Sequence, residues 1–329
     1  MSNLTLITQS ILINSSRAER DESEGIYMPL SAYDGVAVTL LLIGTIIVFE
    51  NALVIWVFIT RKTLHTHMNI FVVHLAITDI LMVFFSYPLV IFAAFHRFWL
   101  FGQVLCILEG FSVAFLGYSS IFILCAISVD RYIVICRQDL LHIQTNSVAI
   151  KANLVCSACA LLWALLPLFG WGSYNLDGGD ISCALDWQSK TPRNWTYNIC
   201  VMFTCFLLPL GIIIMMYFKI TSAVKSTRRF PTWCRQARQK RKQIQMEARL
   251  AKTVASMIVA FLLSWSPYAI VCCWALFGDA SHIPKVATLI PAMFAKAAGI
   301  WNPIIYAVTN KHFRTAFFDV LPLLKLEIS

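Results

Sequence analysis

Residues 106–136 read CILEGFSVAFLGYSSIFILCAISVDRYIVIC. From Ile107 to Val129 this stretch holds a single charged residue, Glu109, and it ends on Asp130-Arg131-Tyr132. It is longer than the ~20 apolar residues that carry a helix across a bilayer. The alternation that would mark a barrel strand is absent, so a helix is the spanning form left to it. Six more apolar runs flank it, at 36–59, 70–95, 149–171, 199–220, 251–276 and 286–308, joined by short polar connections. The composition agrees. Of the 329 residues, 59% are hydrophobic and 13% charged, against ~45–50% and ~25% in soluble domains. Intrinsic disorder and an ordinary soluble enzyme are thereby excluded. The fold class expected is an all-α membrane protein, a seven-transmembrane helix bundle.

The net charge of +9 invites a nucleic-acid reading, but the placement of the basic residues removes it. With the N-terminus outside, 19 of the 26 Lys and Arg fall on the cytoplasmic side. Arg17, Arg20, Arg97, Lys190, Arg193 and Lys285 fall outside, and Lys296 lies within a span. This is the positive-inside asymmetry of membrane proteins. Three glycosylation sequons, at Asn3, Asn14 and Asn194, sit on the same outer side. The first 30 residues lack a basic stretch followed by an apolar run, so no cleavable signal peptide is expected and the first span serves as the targeting signal. Most cysteines lie inside apolar runs, where they behave as small hydrophobes, and no metal site is expected.

Three regions follow: a glycosylated outer segment 1–35, the bundle 36–308, and a cytoplasmic tail 309–329. Within the tail, 309–323 reads as a short amphipathic helix on the inner leaflet, with Phe313, Phe317 and Phe318 beside Lys311 and Arg314. The tail contains no cysteine, so no palmitoyl anchor is expected there. The third cytoplasmic loop, 221–246, is the most basic segment. It serves as a topology signal with lipid headgroup contact, or as a surface for an acidic cytosolic partner.

Ionisable groups inside spans are costly and mark function. Here they are Glu50, Asp79, Glu109, Asp130-Arg131 and Lys296. Glu247 opens the sixth span at the inner face, where a bridge to Arg131 would hold two helices together. Pro267, in Trp265-Ser266-Pro267-Tyr268, and Pro303, in Asn302-Pro303-Ile304-Ile305-Tyr306, should bend the sixth and seventh helices.

Asn51, Asp79, Asp130-Arg131-Tyr132, Trp163, Pro209, Tyr217, Trp265-x-Pro267-Tyr268 and Asn302-Pro303-x-x-Tyr306 stand span by span where the class A G-protein-coupled receptors carry their marks. The chain resembles that family over nearly its whole length. The resemblance implies an outer disulfide between Cys106 and Cys183, and switch roles for Asp79, Asp130, Arg131, Glu247, Asn302, Pro303 and Tyr306. A lysine in mid-seventh span, here Lys296, resembles the opsins, in which it binds retinal as a Schiff base. An amine in an apolar pocket suits that condensation, and the charged product needs a carboxylate. Along straight helices Glu109 stands ~33 Å above Arg131 and Lys296 ~22 Å above Lys311, and helix tilt with the lysine's length closes most of the difference. Glu109 also stands three residues after Cys106, as the counterion glutamate of vertebrate visual opsins does. Asp177, six residues before Cys183, is a second carboxylate that shares or replaces that role.

ISCALDW (181–187), WSPYAIVC (265–272), Phe277-Gly278-Asp279, Ile283-Pro284 and Asn310-Lys311-x-Phe313-Arg314 resemble the peropsin and neuropsin branch. Glu109 departs from the peropsin pattern. His74 replaces the usual Asn of the second span, and Glu50 the Gly before Asn51.

The resemblance implies a light-sensing receptor. Retinal, 11-cis or all-trans, would lie among Phe206, Phe261, Trp265 and Tyr268, with Gly117 giving space. Its isomerisation would push on Trp265 and open the Arg131–Glu247 latch to a heterotrimeric G protein, of the Gi/Go class rather than Gq, with arrestin as a further partner. The site would be the plasma membrane or a photoreceptive membrane. The alternative is a retinal photoisomerase that regenerates 11-cis retinal with little signalling. A receptor for a diffusible amine would need a carboxylate where Val113 stands.

Overall fold

The computed structural model describes residues 29–177, 179–226, 235–279, 283–309 and 314–315. Its helices are α1 (Leu30–Thr60), α2 (His67–His96), α3 (Gly102–Cys136), α4 (Asn146–Leu165), α5 (Pro192–Val201), α6 (Leu208–Ser226), α7 (Arg235–Phe277), α8 (Lys285–Lys296) and α9 (Trp301–Thr309). A π-turn at Met202–Leu207 joins α5 and α6 into one span, and a tight 3-10 turn at Ala297–Ile300 joins α8 and α9 into another. Among the described residues the spans are therefore seven. Six of them are long and apolar enough to cross a membrane. The seventh, like the fifth, is assembled from pieces.

The outward faces are apolar. Phe84 and Phe218 are 71% and 73% exposed on the bundle surface, which suits lipid and not water. Inward, Leu75, Ile123, Leu124, Ile127, Val254 and Met257 fill the core of the inner half, and Tyr306 packs against them. Thr66 and Thr145 accept hydrogen bonds from Asn69 N–H and Val148 N–H, satisfying free donors at the starts of α2 and α4. Pro192 sits in the first turn of α5, where its missing N–H costs nothing.

Two boundaries differ from the sequence expectation. α1 begins at Leu30, before the apolar run opens at Val36. The basic stretch expected as a loop at 221–246 is partly helix: α6 continues to Ser226, and α7 starts at Arg235. Arg, Gln, Lys, Met and Glu are good helix formers. Ile244 also anchors this extension by burying itself with Ile135, Ile220 and Ala251. The amphipathic tail helix at 309–323 lies outside the described residues except for Thr309 and 314–315, as do Asn3 and Asn14.

The break in the seventh span also has a local cause. It falls at Ala297–Ile300, one turn ahead of Pro303. The proline ring collides with the carbonyl four residues earlier, that of Gly299, and offers it no N–H. Asn51 Nδ2 supplies the missing donor to that carbonyl at 3.2 Å. Gly299 packs directly on Asp79, where a Cβ would come within 3.2 Å of the carboxyl carbon. By contrast, α7 runs unbroken through Pro267.

At the outer end, strands β1 (Tyr174–Asp177) and β2 (Ser182–Leu185) pair antiparallel, Tyr174 opposite Leu185 and Asp177 opposite Ser182. Cys183 of β2 is bonded to Cys106 of α3. The hairpin is thereby held against the mouth of the bundle.

Candidate functional site

Lys296 is the last residue of α8, and its Nζ lies 3.2 Å from Glu109 Oε1 on α3. Both are buried, Glu109 completely and Lys296 to 9% exposure. Isolated charges at such depth would cost several kcal/mol each, so each supplies what the other needs. Three further groups complete the arrangement. Ser86 Oγ on α2 accepts from Lys296 Nζ at 2.6 Å and donates to Glu109 Oε1 at 2.6 Å. The Cys183 backbone N–H donates to Glu109 Oε2 at 2.6 Å, so the disulfide-anchored hairpin also orients the carboxylate. Tyr87 O–H donates to the Lys296 carbonyl at 2.8 Å, fixing the other end of the lysine residue.

The two candidate carboxylates separate here. Glu109 is in ion-pair contact with Lys296. Asp177, at the end of β1, accepts from Tyr268 O–H at 3.4 Å. It shares a small cavity with Lys296, walled also by Val113, Ala184, Trp265 and Tyr268. Those four residues, Asp177 and Lys296 aside, also line a larger, almost wholly apolar cavity that runs between α3, the turn at Met202–Leu207 and α7. Gly117, Phe206 and Phe261 line it as well. Phe261 stacks on Trp265 with centroids 5.7 Å apart, and Tyr268 meets Trp265 edge-on at 6.4 Å. Gly117 is tight against Trp265: a Cβ there would come within 2.9 Å of the indole.

Below this cavity a polar chain links the spans. Asn302 Nδ2 donates to Asp79 Oδ2 at 3.0 Å, and Tyr306 O–H donates to Asn69 Oδ1. At the inner end Arg131 is 1% exposed. Its guanidinium pairs with Asp130 and donates to Glu247 Oε2 at 2.9 Å, joining α3 to α7. His67, the first residue of α2, places Nε2 3.1 Å from the same guanidinium and 3.5 Å from Asp130 Oδ1. His74 Nε2 lies 3.0 Å from Ser157 Oγ, tying α2 to α4. α4 also carries a Cys-x-x-Cys pair, Cys156 and Cys159, and Cys156 Sγ donates to the Phe122 carbonyl at 3.5 Å.

Asn194, the third sequon asparagine, is engaged in the fold. It lies in the first turn of α5 at 7% exposure, and its Nδ2 donates to Ser173 Oγ at 2.8 Å and Asp186 Oδ2 at 3.1 Å. That nitrogen is the one a glycan would occupy. In the structure it ties the outer loop to α5.

Ser86, Tyr87 and His67 were not singled out from the sequence. Ser86 had a signal: it stands seven residues, two helical turns, after Asp79, and so on the same face of the second span. His67 had none, because it lies at the edge of a polar connection.

The chain matches the family model described as 7 transmembrane receptor (rhodopsin family) over residues 50–306. It is 35% identical over 305 residues to melanopsin of Rutilus rutilus, covering 91% of this chain and 60% of that protein. It is 33% identical over 304 residues to the human visual pigment-like receptor peropsin, covering 92% and 88%. A third relative, from Mizuhopecten yessoensis, is named "Rhodopsin, GQ-coupled": 33% identity over 301 residues, 88% of this chain and 60% of that one. The crystal structure of squid rhodopsin superposes with a TM-score of 0.82 at 31% identity, covering 91% of this chain and 83% of that one.

Proposed function

Because the chain belongs to the rhodopsin family of seven-transmembrane receptors, and within it to the opsins, we propose that it is a light-sensing receptor with retinal linked to Lys296. The observation that carries this is the buried Lys296–Glu109 pair, with Lys296 facing a small cavity that shares Val113, Ala184, Trp265 and Tyr268 with an aromatic, almost wholly apolar one. A long apolar aldehyde fits that donor set: a primary amine to join, a carboxylate to balance the charge, and aromatic walls for the chain. Retinal would supply light absorption and a change of shape on illumination.

The protein's own residues do the rest. Glu109, held by Ser86 and the Cys183 N–H, keeps a proton on Lys296 Nζ. The hairpin and its disulfide keep water from the outer mouth. Trp265, pressed on Gly117, is the mobile wall. α7 carries both Trp265 and Glu247, so displacement of the indole moves one continuous helix whose inner end holds the Arg131 latch. Opening the latch exposes the inner ends of α3, α6 and α7 to a heterotrimeric G protein. The basic start of α7, including Arg238, Lys240, Arg241 and Lys242, favours an acidic partner surface there. The Lys and Arg asymmetry supports an N-terminus outside. For the G protein we take the Gi/Go class first; the name of the scallop relative makes Gq the competing result.

The test is purified protein loaded with 11-cis retinal and assayed for nucleotide exchange on Gi/Go and Gq, in darkness and in light. A visible pigment with light-dependent exchange on one class is expected. Absence of any pigment, or exchange indifferent to light on both classes, overturns the proposal.

A further inference from the structure

The hydroxyl of Ser86 lies between the two charges of the site. Ser86 is fully buried. Its two contacts, 2.6 Å to Lys296 Nζ and 2.6 Å to Glu109 Oε1, are both shorter than the direct 3.2 Å between the charges. Serines elsewhere in the bundle behave differently. Ser112, Ser120 and Ser128 donate back to the carbonyl four residues earlier on their own helix, at 2.7, 3.0 and 2.8 Å. That is the ordinary habit of a helical serine. Ser86 forgoes it and donates across to α3.

A free ammonium has three N–H donors and can serve Ser86 and Glu109 together. Once Nζ is joined to a carbonyl carbon by a double bond, its charged form has one N–H, and that one must choose. The shorter contact is to Ser86. We propose that Ser86 is the positioning residue through which Glu109 acts: the single proton on Nζ is donated to Ser86 Oγ, and the Ser86 proton to Glu109. This rests on the assignment of retinal to Lys296.

The same chain provides a route for proton loss after illumination. The N–H bond at Nζ breaks as an O–H bond forms on Ser86, and the original Ser86 O–H breaks as one forms on Glu109 Oε1. Two protons shift, for a net transfer of one from Nζ to the carboxylate; positive Nζ and negative carboxylate both become neutral, and no outside acid or base takes part.

The test uses Ser86→Ala, which removes the hydroxyl, and Ser86→Thr, which keeps it. In the retinal-free protein, reductive methylation with 13C-formaldehyde leaves Nζ as a dimethylammonium with one N–H. Its resonance is identified by its loss in Lys296→Met. We expect Ser86→Ala to lower its proton affinity roughly tenfold or more, the scale of a hydrogen bond to a charged group, with Ser86→Thr close to the parent. In the pigment, the same variants should shift the pH at which visible absorption is lost in the same order. In Ser86→Ala the light-induced carboxyl band of Glu109 should also rise roughly tenfold more slowly. Equal titrations for parent and Ser86→Ala would mean that Glu109 pairs directly with Nζ, and would overturn the role of Ser86. Should Ser86→Ala fail to fold, Ser86→Cys, a weaker hydrogen-bonding group of similar size, replaces it with the same expected order. If the parent forms no pigment, the retinal assignment fails, while the retinal-free titration still decides for or against the Ser86 relay.

Discussion

Glu109 and Lys296 stand 3.2 Å apart, and no part of Glu109 is open to solvent. Removing either partner therefore leaves an uncompensated charge deep in the bundle, which is more damaging than the pair itself is stabilising. The outer hairpin shares in this, because one carboxylate oxygen is held by the Cys183 backbone. Structure outside the membrane and charge inside it are coupled through one hydrogen bond.

That coupling makes the disulfide more than a staple. Cys106→Ser or Cys183→Ser should cost ~2–5 kcal/mol of stability and loosen the grip on Glu109. Thermal melting of the two variants should show similar large losses. An unchanged melting temperature in either, or free thiols at both positions in the parent by non-reducing peptide mass spectrometry, would contradict the role assigned to the crosslink.

At the inner end, Glu247→Gln should raise nucleotide exchange in darkness. Arg131 loses its partner on α7 but keeps Asp130 on its own helix. The gain should lie toward the lower part of the ~1–3 kcal/mol range of such couplings, near fivefold. Unchanged basal exchange in a well-expressed variant would show that the Arg131–Glu247 bond does not hold the resting state.

Asn194 offers a check on the outer loop. Since its amide nitrogen is bonded to Ser173 and Asp186, Asn194→Gln should leave the glycan content unchanged, as read by the gel shift on enzymatic deglycosylation. It should lower thermal stability by ~1–3 kcal/mol through the unpaired polar groups left behind. A missing glycan in the variant would show that the sequon is used.

The sequence made the bundle legible because a bilayer imposes a length and a composition on every span, and the charges inside those spans stand out against apolar neighbours. Lys296, Glu109 and Arg131 were visible on that ground, Glu247 as a partner for Arg131 at the inner face, and straight-helix arithmetic brought Lys296 and Glu109 to within a helix tilt of each other. Three features were hidden. Ser86 carries no charge, so only its spacing from Asp79 pointed to it. The break at Ala297–Ile300 precedes the proline that causes it, since the collision is with a carbonyl four residues back. The helical start of α7 was masked by its basic residues, which suit a loop and a helix alike until Ile244 finds its apolar contacts. Asn194 illustrates the converse: its sequon was plain, but the burial that engages it depends on a hairpin contact no local pattern encodes.

The central claim is that Glu109 balances a proton on the retinal-bearing nitrogen of Lys296, and the most direct measurement is a pH titration of the dark absorption spectrum. The parent should be visible at neutral pH, and Lys296→Ala should give no pigment. A buried cationic nitrogen deprived of its carboxylate loses its proton near neutrality. Glu109→Gln should therefore absorb in the near ultraviolet at neutral pH and regain visible absorption when the pH is lowered or chloride is added. Asp177→Asn should stay visible. The account is contradicted if Glu109→Gln remains visible with an unshifted titration, and Asp177 takes the role if its variant is the one that moves to the ultraviolet.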